Sequence, residues 1–148
     1  MSNASGGKVI CAVVLLKNGS EALLQLRDEK PGLTASGLWV FPGGHTNKDE
    51  ALLTCARREF LEETGYNCEN LTWLLSVNDS FISPLPYPLH IFWDIYDPNK
   101  TYTCLEGQKI EFIQREIANT IKMPDYLIYI WDLAILAKKA KDQFTAIE

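Results

Sequence analysis

The chain has 148 residues, 47% of them hydrophobic and 22% charged, which are the proportions of one soluble globular domain with a full core. Its formal net charge is −5 and it carries no basic block, which argues against grip on a nucleic-acid polymer but leaves a small phosphorylated ligand open if a metal supplies the positive charge. The four cysteines, Cys11, Cys55, Cys68 and Cys104, form no C-x-x-C pair, and no His stands at zinc-finger spacing. Reduced thiols in or near the core of a cytoplasmic protein are therefore expected, not a disulfide framework.

In chain order, residues 1–7 (MSNASGG) read as a disordered N-terminus or tag remnant, leaving residues 8–148 as a single domain. The apolar run VICAVVLL is too short to span a bilayer and has no cleavage site after it, so no membrane association is expected. KVICAVVLLK reads instead as a buried strand, Asn18–Ser20 as a hairpin turn and EALLQLR as the returning strand. DEKPGLTASG is a loop, LWVF a short strand that stops at Pro42, and PGGHTNK a further loop.

The period then changes. Asp49 is expected to cap a helix, Glu50 to lie in its first turn, and Leu52, Leu53, Ala56 and Phe60 to form its apolar face, with Gly65 ending it. LTWLLSV and LHIFWDIY read as strands on either side of the proline-rich loop NDSFISPLPYP. KIEFI is a further strand, REIANTIKM a short helical segment and DYLIYIWDLAILAKKAK a final helix. A mixed sheet covered by a helix on each face is the natural packing for this set.

The mid-chain helix carries Glu59, Glu62 and Glu63 near its C-terminal end. These acids share an arc of roughly 100°. Like charges at i,i+4 and the negative helix pole each cost a few tenths of a kcal/mol. Arg58 relieves part of this through Glu62, and a hard divalent cation would relieve the rest, since carboxylate oxygens are its preferred ligands. A solvated acidic face is the plain alternative. Against it stand a Gly-Gly turn just upstream and acids that border the apolar face.

The spacing itself is informative. Gly44, five residues, Glu50, seven residues, Arg58-Glu59, Phe60, Leu61, Glu62-Glu63, Thr64, Gly65 and Tyr66 together resemble the Nudix box of the Nudix hydrolases, with all seven fixed letters present. Phe60 and Tyr66 fill slots where smaller aliphatic residues are more usual. LLQLR, LWVFPGG and LEGQ extend the resemblance from Val9 to the final helix.

The resemblance implies an α/β fold, a Nudix-like α/β/α sandwich with a mixed, curved β-sheet between the box helix and a C-terminal helix. It implies hydrolysis of a nucleoside diphosphate linked to a group X with Mg²⁺, for which Mn²⁺ substitutes. Glu59, Glu62, Glu63 and the Gly43 carbonyl are then the metal-ligand candidates. Arg58 orients the carboxylates and Glu50 and Gly65 support the box. Glu59 and Glu106 compete as the base. Arg27, Gly44 and Asp125 are candidates for substrate contact, and Trp39, Phe81 and Tyr87 for stacking on a base. His45 and His90 read as structural. The expected substrate is a small nucleotide: a nucleoside triphosphate first, oxidised purines included, then a nucleotide sugar or dinucleoside polyphosphate. A nucleotide-sensing module without catalysis and a metal-free acidic interaction domain are the other classes. Monomer and homodimer both remain open.

Overall fold

The computed structural model describes residues 9–33, 35–77 and 87–147. The expectations for residues 1–7, for residues 78–86 of the proline-rich loop and for Phe81 lie outside the described residues.

Strand β1 (Ile10–Lys17) is buried along nearly its whole length. Alternate residues of a strand face opposite sides. Ala12, Val14 and Leu16 accordingly enter one core with Trp131, while Cys11, Val13 and Leu15 enter another with Phe60 and Tyr66. A strand apolar on both faces needs a cover on both.

Asn18 (φ 53) and Gly19 (φ 84) turn the chain into β2 (Glu21–Leu26), as Asn-Gly suits a hairpin. The two strands pair only at Leu16–Ala22 and Lys17–Glu21. Beyond that β2 diverges to pair with β3 (Trp39–Val40) and β7 (Lys109–Ile113). The edge of β1 that β2 leaves is taken by β4 (Gly43–His45). On the other edge β6 (Leu89–Ile95) runs parallel to β1, followed by antiparallel β5 (Thr72–Val77). Helix α1 (Leu52–Thr64) packs on one face through Cys55, Ala56 and Phe60. Helix α2 (Asp125–Ile147) packs on the other through Leu127, Ile130, Trp131 and Ala134. The mixed sheet between two helices matches the expected α/β architecture.

Several local expectations change. Gly43–His45 is a strand, not a loop, because tertiary pairing with β1 supplies the hydrogen bonds that its composition does not suggest. Asp49 does not cap α1: it sits at φ 60 in a turn, and Ala51 takes the cap position without a side-chain bond. Glu50 precedes the helix, and its carboxylate is engaged elsewhere. Leu53 is 49% exposed, and Cys55, Ala56, Phe60, Glu63 and Thr64 are the buried residues of α1. Gly65 ends α1 as read, at φ 71 with its N–H donated to the Leu61 carbonyl. REIANT forms a 3₁₀ turn, pinned to α2 by Arg115–Asp132 at 2.6 and 3.0 Å. Three cysteines are buried, Cys104 is exposed, and all four are free thiols.

Candidate active site

The divergence of β2 from β1 leaves room for Gly43 and Gly44 of β4 to lie directly against α1. The two glycines are crowded in different ways, Gly43 by backbone and Gly44 by the end of a side chain. A Cβ on Gly43 would stand 2.1 Å from the Cys11 carbonyl oxygen, and one on Gly44 2.3 Å from Glu59 Oε2. Gly44 thus brings its main chain against the Glu59 carboxylate.

Arg58 organises the outer side of the cluster. Its Nε and Nη2 donate to the two Glu50 oxygens at 2.7 and 2.9 Å, a forked pair. Nη1 donates to Glu62 at 3.1 Å and stands 3.5 Å from Glu59 Oε1, while Nη2 also donates to the His45 carbonyl at 3.1 Å. The guanidinium beside Glu50, with the Asn47 N–H, holds the Glu50 carboxyl down at about 2. Glu50 therefore ties the segment before α1 to the helix rather than contributing to its first turn.

Glu63 lies on the inner side and is only 5% exposed. Its Oε1 accepts from the Gly43 N–H at 3.0 Å and from Gln25 Nε2 at 3.4 Å. Burial, with the Glu106 carboxyl facing it, pushes Glu63 up to about 9. Glu59 is also raised, mainly by burial, with Glu62, Glu106 and Glu50 adding repulsion that Arg58 partly offsets. Glu106 reaches this place because its loop is bonded to the end of α1. Thr103 N donates to the Thr64 carbonyl at 2.8 Å, and Leu105 N to the Glu63 carbonyl at 3.0 Å.

A cavity of about 350 Å³ opens beside Gly43 and Gly44, with a mostly apolar floor of Ile10, Ala12, Phe41, Leu89 and Ile91. Arg27, Gly43, Gly44, His45 and Tyr126 supply its polar rim. A smaller cavity of about 160 Å³ adjoins it, sharing Arg27 and Leu33 and reaching Glu106 and Gly107. Arg27 Nε is buried and has no hydrogen-bond partner among the described residues. An orphaned buried donor of this kind is costly and calls for an acceptor beyond the described residues.

A family model described as the NUDIX domain matches residues 7–117. The chain belongs to the Nudix family. Over 84 residues it is 37% identical to the m7GpppN-mRNA hydrolase NUDT17 of Danio rerio, which covers 55% of this chain and 28% of that protein. Over 39 residues it is 49% identical to the mRNA decapping complex subunit 2 of Schizosaccharomyces pombe, covering 26% of this chain and 5% of that protein. The chain thus spans less than a third of the length of either relative. The MutT protein of Methanosarcina mazei Go1 superposes with a TM-score of 0.71 at 22% identity, covering 88% of this chain and 94% of that one, which shows a shared fold.

Within this Nudix domain the box acids are spread around Gly43-Gly44. Glu59 stands in the middle, Glu62 outside on Arg58 with its side chain 56% exposed, and Glu63 inside. Among the described residues no three His, Cys, Asp or Glu side chains form a ready-made group for a metal ion. The donor chemistry nevertheless fits a hard cation: oxygen donors only, two of them carboxyls held above their ordinary range by burial and mutual repulsion, facing a third acid, Glu106. Glu59, Glu63 and Glu106 are thereby brought together, and Glu62 joins them through Arg58.

The remaining candidates are placed less centrally. Asp125 is the exposed first residue of α2, and its neighbours Tyr126 and Leu127, not Asp125, line the larger cavity. Trp39 is buried in the core under Lys109. Tyr87 packs edge-on against His45 with ring centroids 5.0 Å apart. His90 sits 2.6 Å from the Ser76 hydroxyl, away from the acids. No helix of the described residues is long and apolar enough to cross a membrane.

Sequence reasoning missed Gln25 and Tyr126. Gln25 had a signal, being the one polar residue inside the buried run Ala22–Gln25 of β2. Tyr126 had none, since only the docking of α2 over β1 and β5 turns it toward the cavity.

Proposed function

We propose that this Nudix pyrophosphohydrolase cleaves the pyrophosphate bond of a nucleoside triphosphate, oxidised or not, giving the monophosphate and pyrophosphate. One observation supports it most: the Glu59, Glu63 and Glu106 carboxyls gather at Gly43-Gly44, beside a base-sized apolar cavity with Arg27 on the shared wall. Glu59, Glu62, Glu63 and the Gly43 carbonyl would hold Mg²⁺, with Mn²⁺ as substitute. When bound, the ion neutralises phosphate charge and makes water a better nucleophile.

The residues supply the rest. Arg27 offers its unpaired Nε–H to a phosphate oxygen and fixes the chain between the two cavities. The apolar floor takes the base and excludes water from one side of the phosphates. Arg58 holds Glu62 and Glu59 beside one another while Glu50 anchors Arg58. Glu59 or Glu106 accepts the proton lost by the attacking water.

A second reading is a capped RNA end as substrate, favoured by the names of the two relatives above. The formal charge of −5 disfavours a long polyanion unless its terminal cap alone is held. Nucleotide sugars and dinucleoside polyphosphates are the remaining enzyme substrates, and nucleotide sensing without turnover is the non-catalytic alternative.

The test is a phosphate-release panel with Mg²⁺ at neutral pH. It covers ordinary and oxidised nucleoside triphosphates, a nucleotide sugar, a dinucleoside polyphosphate and capped RNA, run in parallel for Glu62→Gln. Fastest turnover on a triphosphate, with at least about tenfold loss in the folded variant, is the expected result. Fastest turnover on capped RNA moves the assignment to the second reading. Tight nucleotide binding with no turnover on any substrate points to sensing, and unchanged activity in Glu62→Gln removes that residue from the metal site.

A further inference from the structure

A buried amide in the middle of β2 joins the two acid-bearing segments of the site. Gln25 is 2% exposed, and the side chains around it in β2 are apolar. Such a group is costly to bury unless its hydrogen bonds are made. Its Nε2 makes two, to Glu63 Oε1 on α1 at 3.4 Å and to the Glu106 backbone carbonyl at 3.2 Å. The fit around it is close on the loop side as well. Gly107 stands at φ +83, and a Cβ there would lie 3.1 Å from Gln25 Cγ and 2.8 Å from the Leu26 carbonyl oxygen.

We infer that Gln25 is a positioning residue that sets Glu63 and the Glu106 loop at the separation from which both acids serve one divalent cation. This rests on the metal-dependent reading above. The residue type suits the task. An amide donates to a carboxylate without adding charge, whereas Lys would add a positive charge that competes with the cation and Glu would add a further anion. Neither Gly43 N–H nor the backbone bonds of residues 103–105 can replace it. The former touches only Glu63, and the latter hold the main chain of the loop to α1 without reaching from β2. This role also explains why a polar residue ends the otherwise apolar buried run Ala22–Gln25, two positions before Arg27. The side chain reaches the acids while Arg27 reaches the cavities.

The test uses Mn²⁺ as probe on the whole chain, read by its paramagnetic resonance signal and by calorimetry, for wild type, Gln25→Met and Gln25→Asn. Each variant is also assayed for kcat and KM on the best nucleotide, and its melting cooperativity is recorded. Loss of a hydrogen bond that orients a metal ligand typically weakens affinity or activity by about 10- to 100-fold. Gln25→Met is expected to bind Mn²⁺ about tenfold more weakly or worse. Its kcat should fall with a nucleotide KM close to wild type. Gln25→Asn, which keeps the amide one methylene shorter, should fall between the two. It keeps the test decisive if the apolar variant does not fold. Wild-type Mn²⁺ affinity and kcat in whichever variant melts cooperatively overturn the role of Gln25 and leave the proposed function standing. Absence of Mn²⁺ binding by the wild type, with or without nucleotide, overturns both.

Discussion

Arg58 grips both oxygens of Glu50, eight residues earlier, at 2.7 and 2.9 Å, so a residue outside α1 is locked to the second turn of that helix. The pair fixes the β4–α1 connection and also aims Arg58 at Glu62 and Glu59. Glu50 is thus a structural strut of the site and not a helix-dipole residue.

Replacing Glu50 with Gln should lower stability by about 2 kcal/mol at neutral pH, because it leaves a partly buried guanidinium with weaker partners. The folded-state pKa of Glu50 is depressed from 4.5 to about 2, so its contribution is present above 4.5 and is lost as pH falls toward 2. Urea titrations at pH 7 and pH 3 should show the gap between wild type and Glu50→Gln narrowing at the lower pH. An equal gap at both would contradict the pairing.

Glu63 titrates in the opposite sense. Its folded-state pKa is raised from 4.5 to about 9, so without metal the fold favours the protonated acid. That contribution is complete below 4.5 and declines as pH rises toward 9. Thermal melts in chelator between pH 5 and 9 should therefore lose stability with rising pH. Glu63→Gln should flatten the slope, and Mn²⁺ should restore the wild type at high pH. A flat profile in chelated wild type would show that Glu63 is ionised throughout.

Gly44→Ala should spare the core and damage the site, since the added methyl meets a side-chain carboxylate, Glu59. Turnover is expected to fall by about tenfold or more, with weaker Mg²⁺ dependence and a small change in melting temperature. Gly43→Ala meets backbone at Cys11 and Ala12 and should cost several times more stability. Comparable melting losses in the two variants would be the contrary result.

Arg27→Met removes the unpaired donor while keeping much of the side chain's bulk. Nucleotide KM should rise by about tenfold, the effect of losing one charge-assisted hydrogen bond, while Mn²⁺ affinity stays near wild type. Steady-state kinetics beside calorimetry separate the two. An unchanged KM would place the phosphates elsewhere.

The amino-acid sequence by itself determined the strands of the sheet's centre, both helices, and the Gly44–Tyr66 spacing. These are local facts: β1 is apolar from Ile10 to Leu16, α1 repeats at 3.6 residues, and the box is a fixed set of letters along one helix and the segment before it. Tertiary structure alone decided which acids meet. Glu106 lies more than forty residues beyond Glu63 and arrives there through backbone bonds from residues 103 and 105 to the end of α1. Gly43–His45 became a strand only because β2 leaves β1 early and vacates an edge. Asp49 lost the capping role to a turn that Glu50 and Arg58 stabilise. Gln25 and Arg27 from the end of β2 and Tyr126 from the start of α2 converge on the cavity walls and the acids beside them. No local period records that convergence, because hydrogen bonds and packing between distant segments are set by how the sheet and helices dock.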